Sequence, residues 1–218
     1  TEDESIITEQ TQKRKNYNFF FQLDRSFENS FLTFGIGTNK INYNWVEEIN
    51  STSFSYKTKT ILSPRVSYNH NLNNSSIFAN ISHGFSSPNI DETLDENGLV
   101  NSEIKPETGW NYELGLIGTA KHNILSHVIS LYFMDIKNLL VAQRTNFDTY
   151  TGVNAGRTSH PGLETTINFP IYRSQSLNIS SSNNFSKYWY IFKDFNNRGT
   201  DYSQNKLTGV PTLSLIHI

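Results

Sequence analysis

Apolar and polar positions alternate along most of this chain with a period of two, the spacing that sends successive side chains to opposite faces of a β-sheet. Tyr17, Phe19, Phe21 and Leu23 alternate with Asn18, Phe20, Gln22 and Asp24. Leu32, Phe34 and Ile36 alternate with Thr33, Gly35 and Gly37, then Val66 and Tyr68 with Arg65, Ser67 and Asn69. Ile77, Ala79 and Ile81 stand opposite Phe78, Asn80 and Ser82; Trp110, Tyr112, Leu114 and Leu116 stand opposite Asn111, Glu113 and Gly115. Leu163, Thr165, Ile167 and Phe169 oppose Gly162, Glu164, Thr166 and Asn168, and Leu177 and Ile179 oppose Asn178, Ser180 and Ser182. Residues 126–143 also read as a strand. There Val128, Tyr132 and Met134 compete with Ile129, Leu131 and Phe133, so the pattern does not choose a face. The chain is expected to be all-β, with about eight antiparallel strands.

Two architectures put an apolar face against a polar one: a sandwich with solvated outer faces, and a membrane barrel with a wet interior. Charge in mid-strand on the polar face (Arg65, Glu113, Glu164) suits a hydrated lumen, although a sandwich explains it equally well. Aromatic residues near strand ends (Tyr17, Tyr68, Trp110, Tyr112) suit interfacial girdles.

The connections discriminate further. Short turns at 27–30, 72–76, 120–123 and 172–176 alternate with longer polar links at 46–60, 86–108, 145–151 and 193–205. In an up-and-down barrel every second connection emerges on one side, and outer-membrane barrels keep short turns inside and long loops outside. A Greek-key sandwich has no reason for so strict an alternation. The expected fold is therefore an antiparallel up-and-down transmembrane β-barrel segment. Residues 77–85 then run outward, and 110–119 and 163–169 run inward.

Composition is compatible with this. Apolar residues make up 36% and the mean hydropathy is −0.50, too polar for a helical membrane protein. A barrel strand shows lipid only every second residue, so it escapes the hydropathy test. Charged residues make up 17% and the net charge is −2, which offers no field for gathering DNA or anionic lipid. Cys is absent, which excludes disulfides and thiolate metal sites. The chain opens at Thr1 without an export signal and ends in a strand-like run, and it is expected to be a fragment or a processed chain. Such a piece is not expected to fold alone, because its two edges would lie unpaired in lipid.

Over 62–118 the chain resembles the barrel of TonB-dependent receptors. The residues that carry this are Ser63-Pro64-Arg65 opening a strand, and Ser82-His83-Gly84-Phe85-Ser86-Ser87-Pro88 closing the next. Ile104-Lys105-Pro106-Glu107-Thr108 and Trp110-Asn111-Tyr112-Glu113-Leu114-Gly115 follow. Asn154-Ala155-Gly156-Arg157, Gly162-Leu163-Glu164, Asp201-Tyr202-Ser203, Asn205-Lys206-Leu207 and Gly209-Val210-Pro211 extend it, while the resemblance is weak before Leu62. It implies that residues 1–218 are part of a larger, 22-stranded type of barrel. It also implies a plug domain, not present here, through which the periplasmic TonB complex acts. His83 stands where such receptors often carry Arg, and 212–218 fit the expected next strand poorly.

Pro88 and Pro106 lack an N–H and fix φ, so they are expected to end the flanking ladders and hold the entry and exit of the long loop. Gly84 and Gly115 fall on the lumen face, where a missing side chain lets another backbone come close. Glu113 there either accepts hydrogen bonds from a plug or is simply hydrated.

Searches for other chemistry give little. His70, His83, His122, His127, His160 and His217 lack metal-ligand spacing, and each reads as solvated or interfacial. Asp91, Glu92, Asp95 and Glu96 sit in the longest loop, as a cation-binding group or a solvated tip. No nucleophilic triad or phosphate loop can be assembled, so no enzyme activity, cofactor or nucleic-acid partner is implied. Tyr188, Trp189, Tyr190 and Phe192 read as a membrane-girdle strand end in preference to a stacking surface for nucleic acid or sugar.

The expected function is active import across the outer membrane of a Gram-negative bacterium, with lipid around the barrel. The resemblance suggests a ferric siderophore or another metal chelate as ligand. Loop 86–108 is the expected contact or gate, with Asn89, Asp91 and Glu92 as candidates and Arg65, Glu113 and Glu164 facing the lumen or plug. Gly84, Phe85, Pro88, Lys105, Pro106, Glu107, Tyr112 and Gly115 are its expected structural positions. A passive pore or structural barrel, and a soluble sugar-binding sandwich, are the competing readings.

Overall fold

The computed structural model describes residues 10–48, 52–89, 91–95, 100–120, 124–144, 150–197 and 199–218. His122, Glu96 and most of the links 120–123 and 145–151 lie outside them, as does the side chain of Asp91.

Among the described residues thirteen strands form: β1 (Gln10–Ser26), β2 (Ser30–Glu47), β3 (Thr52–Lys57), β4 (Ile61–Asn71), β5 (Ser75–Ser86), β6 (Glu107–Ala120), β7 (Leu125–Arg144), β8 (Tyr150–Arg173), β9 (Asn178–Tyr188), β10 (Ile191–Asp194), β11 (Asn196–Asn197), β12 (Thr200–Asp201) and β13 (Leu213–His217). The main sheet is an antiparallel meander in the order β1-β2-β4-β5-β6-β7-β8-β9-β13, with β3 added to β2 and β10 to β8. The sheet is open, with β1 and β13 at its edges. β11 and β12 make a separate small hairpin.

The link 46–60 is not a plain loop as expected, because it contains β3. Thr58 bridges β3 to β4 across a one-residue irregularity: its N–H donates to Ile41 O (2.9 Å) and its hydroxyl accepts from Ile41 N (2.9 Å). The Thr58 side chain thus replaces a missing rung, and β3 and β4 act as one bulged return strand beside β2.

Register fixes the faces. The row Leu23–Phe34–Val66–Ile81–Tyr112–Phe133–Pro161 and the row Tyr68–Ala79–Leu114–Leu131–Leu163 share one face across the sheet. Leu114 and Leu131 are each 54% exposed, so this apolar face meets no second layer among the described residues. A sandwich would bury it; a barrel wall presents it to hydrocarbon. The face of β7, left open by the sequence, is settled by pairing: Ile129, Leu131 and Phe133 point outward, and Ser130, Tyr132 and Met134 point inward.

The opposite face is polar and crowded. Arg65, Glu113 and Glu164 lie on it. A Cβ on Gly35 would sit 2.7 Å from Arg65 Nε, on Gly115 2.2 Å from Phe78 Cζ, and on Gly162 2.3 Å from Tyr132 Cζ. Each is a direct cross-strand partner of the side chain that covers it. Gly115 therefore makes room chiefly for the Phe78 ring, where the sequence suggested a backbone. Around Gly84 there is open space, so that expectation does not hold there.

Residues 212–218 also depart from expectation. Leu213 and Leu215 alternate with Ser214 and Ile216 and pair with Lys187–Asn184 of β9, so β13 joins the sheet in register. The alternation was sufficient for a strand, despite its poor match to the family pattern.

In the complete barrel, Leu114→Arg places a cation toward the middle of the outer face and should cost about 2–4 kcal/mol. Ser186→Arg, inward beside Glu164, should change stability by no more than about 0.5 kcal/mol. Denaturant unfolding in phospholipid vesicles measures both, and equal costs would refute the assignment of faces.

Candidate functional site

Above the apolar band, β2 reverses its pattern. Leu32, Phe34 and Ile36 point outward, but Ile41, Tyr43 and Trp45 point inward and are 2–3% exposed. Tyr56 of β3 pairs with Tyr43, and Phe54 with Trp45, at ring separations of 6.2 and 5.7 Å. Beyond the hydrocarbon the outer face meets water, so apolar side chains gain only by turning inward to a cover. Leu94 and Val100 of loop 87–106 supply it.

The described residues of this loop are fastened at both sides. Tyr43 OH donates to Pro88 O (3.0 Å), and Tyr56 OH donates to Ile104 O (2.8 Å). On the far side Asn154 accepts from Lys105 N (2.9 Å) and donates to Lys105 O (3.0 Å) and Asn138 O (2.8 Å). Thr151 Oγ1 donates to Leu94 O (2.9 Å), Asn138 Nδ2 to Pro106 O (3.4 Å), and Leu140 N to Glu107 Oε1 (2.6 Å). The loop thus spans from β2–β3 to β7–β8, passing β4 to β6. Pro88 is buried, and both prolines flank ladder ends, at Ser86 and Glu107.

Inside the loop, Asn89 and Glu92 cap each other. Asn89 N donates to Glu92 Oε2 and Glu92 N donates to Asn89 Oδ1, both at 2.8 Å, around the short 3-10 turn Asp91–Thr93. This is a reciprocal capping box. The two ligand candidates therefore hold the loop's own shape. A cavity of about 320 Å³ opens beside the loop's return, lined by Tyr56, Lys59, Lys105 and Asn138 among others.

In the motif 154–157 three residues do separate jobs. Asn154 ties the loop, Gly156 takes φ +24° against Asp194 O, and Arg157 makes a two-pronged pair with Asp135 (2.6 Å each). With Asn138 at φ 57°, Gly156 interrupts the β7–β8 ladder between the pairs Lys137–Arg157 and Leu139–Ala155. Tyr112 lies outward between Trp110 and Phe133 (6.3 and 6.2 Å), while Phe85 pairs with Thr108.

On the lumen wall, Glu113 accepts from Asn80 Nδ2 (3.1 Å) and Ser130 Oγ (2.7 Å), so each oxygen already has a partner within the wall. Arg65 donates to Gln22 and lies 5.3 Å over the Phe20 ring. Glu164 is exposed, with Tyr188 OH donating to it at 3.5 Å.

A second inner cluster was missed. Tyr132 and Tyr190 share a hydroxyl hydrogen bond of 2.5 Å, and His160 packs 4.5 Å from the Tyr190 ring. His160 is only 7% exposed and bonds Thr158 Oγ1 at 2.8 Å, so its reading as solvated or interfacial is corrected. The girdle reading of 188–192 is also corrected. Trp189 is exposed, on the outward side, but Tyr188 and Tyr190 face the lumen and Phe192 is buried. Placing Tyr132 on the inner face of β7 was the signal needed, and the ambiguous pattern there concealed it.

Over residues 4–216 the sequence matches the family described as TonB dependent receptor-like, beta-barrel, which extends the resemblance well before Leu62. No curated protein matches significantly. Among solved structures, the siderophore receptor PirA from Pseudomonas aeruginosa is 15% identical with a TM-score of 0.58, covering 84% of this chain and 44% of that one. The copper transporter OprC is 17% identical, TM-score 0.68, covering 84% and 30%. The siderophore receptor PiuA from Acinetobacter baumannii is 15% identical, TM-score 0.67, covering 94% and 31%. This chain spans less than half the length of each, and identities this low show the fold alone.

Tyr43→Phe combined with Tyr56→Phe removes two loop fastenings, each worth about 0.5–1.5 kcal/mol. Amide hydrogen exchange in 88–104 of the complete barrel should accelerate on the order of tenfold, with β5 and β6 unchanged. Unaltered exchange in that loop would show that these hydroxyls do not hold it.

Proposed function

The chain belongs to the TonB dependent receptor-like β-barrel family, and from that premise we propose that it forms the ligand-gating sector of an active importer for a metal chelate. It is an outer-membrane protein of Gram-negative bacteria, and receptors of this family transport ligands and are not enzymes. In this reading residues 1–218 are barrel wall, and the plug belongs to the complete protein. TonB acts on the plug from the periplasm and releases the ligand inward.

The observation that carries the proposal is the loop 87–106, fastened across the inner side of the mouth between β2–β3 and β7–β8. A loop held there meets whatever enters the lumen. Lys59 and Lys105 beside the cavity provide charge for an anionic group. PirA and PiuA are siderophore receptors and OprC is a copper transporter, and these names support a metal chelate as the ligand class. A ferric siderophore is the favoured member of that class. The capping role of Asn89 and Glu92 assigns them indirect work, keeping the loop in shape, with Arg65 and Glu164 left to meet the plug.

Uptake of a radiolabelled ferric chelate by cells carrying the complete receptor tests this. Deleting 87–106 should lower binding and uptake at least about tenfold, which corresponds to roughly 1.4 kcal/mol. Unchanged binding and uptake would remove the loop from the mechanism. Uptake that persists without TonB would assign the barrel to a passive pore.

A further inference from the structure

Gly84 stands on the inner face of β5 with nothing to accommodate. Gly35, Gly115 and Gly162 each lie under a cross-strand side chain, but a Cβ on Gly84 would meet no atom within 4 Å. Nor does its backbone require glycine, because its φ is not in the left-handed region. A glycine inside a strand loses more backbone freedom on folding than any other residue and has no side chain to pack. No contact among the described residues offsets that cost.

The space around it is a hollow in the lumen wall. Gly84 pairs directly with Gly109, so two neighbouring strands lack side chains at the same height. The β4–β5 ladder stops at Arg65–Ser82, one inward position below, so no β4 residue is paired to Gly84. Met134 and Ile136 of β7, the partners of Asn111 and Gly109, form the far wall. The cavity measures about 260 Å³, against the roughly 150 Å³ that holds a benzene ring in a protein interior. Asn111, at its edge, has Oδ1 buried without a hydrogen-bond partner among the described residues, so turning its amide toward an incoming N–H gains a bond. One inward position above Gly84 is the pair Ser86–Glu107, where loop 87–106 leaves and returns. Thr108 lines both this hollow and the cavity that holds Lys59 and Lys105.

We propose that the Gly84–Gly109 hollow is a subsite for an apolar arm of the imported chelate, a ring-sized group joined through an amide, and that Gly84 determines which arms are admitted. On the metal-chelate reading, on which this rests, the ligand is then amphiphilic. Its anionic part goes to Lys59 and Lys105, and its arm lies against Met134 and Ile136. Position selects this occupant: through Thr108 the hollow adjoins the cationic cavity, at the base of the loop assigned to ligand contact, so one molecule reaches both. The lining suits an apolar group, because the carboxylate nearest to it, Glu107, is already engaged by Leu140 N.

The complete receptor, in neutral detergent, is titrated with the iron(III) complexes of citric acid monomethylamide and monobenzylamide, which differ by one phenyl ring. The wild type should bind the benzylamide complex about tenfold more tightly, the order gained by burying one such ring. Gly84→Leu fills the hollow and should abolish that preference. Gly84→Ala adds a single methyl group and should reduce it about threefold, which keeps the test decisive if the leucine variant misfolds. Lys59→Gln combined with Lys105→Gln should weaken both complexes by the same factor, so that the preference survives. A wild type without preference, or a preference untouched by either Gly84 variant, would overturn the subsite while leaving the chelate reading in place. A wild type that binds neither complex sinks the chelate reading and the subsite together. If Gly84→Ala melts earlier than the wild type with no chelate present, the hollow belongs to the plug and the proposal fails.

Discussion

Inside hydrocarbon no backbone N–H or C=O can be left without a partner, and a transmembrane sheet is tolerable only if its ladder is unbroken through the membrane. The meander from β1 to β13 meets this demand strand by strand. Where regular pairing fails, at the junction of β3 and β4, the Thr58 hydroxyl takes the Ile41 N–H. Because the backbone is committed to the ladder, each strand has only two degrees of chemical freedom: what it shows to lipid and what it shows to the lumen.

The same constraint explains why the proposed site gathers above the membrane. β7 and β8 run well past the roughly 9–11 residues needed to cross, and there the outward face no longer has a greasy solvent. Apolar residues turn inward, and Ile41, Tyr43 and Trp45 become a local core that loop 87–106 covers. The prolines and the Lys105-Pro106-Glu107 run, unspecific as short motifs, prove to be points where that loop is fastened.

Most of the membrane-level architecture was legible because period-two alternation is a direct imprint of a two-sided environment. Strands such as Trp110–Leu116 and Leu163–Phe169 carry it without interruption. It failed where both faces are apolar for different reasons. In β7, Tyr132 and Met134 line the lumen while Leu131 and Phe133 face lipid, so the pattern cancels. In β2 the phase changes between Ile36 and Ile41, a signal present in the sequence but easily read as continuation. Tyr188, Tyr190 and His160 belong to a cross-strand cluster, which no local window can reveal. Asn89 and Glu92 were a readable capping box, yet they lie three residues apart in a polar loop, where charge draws attention before hydrogen bonding does.

The glycines beneath Arg65, Phe78 and Tyr132 have a consequence for the space the barrel encloses. Each large side chain lies down over a neighbour that has no Cβ, so its bulk is spread along the wall instead of being aimed at the central axis. In the importer proposed above, where a plug fills the complete barrel, a lining flattened at these three positions would leave that occupant room beside the wall.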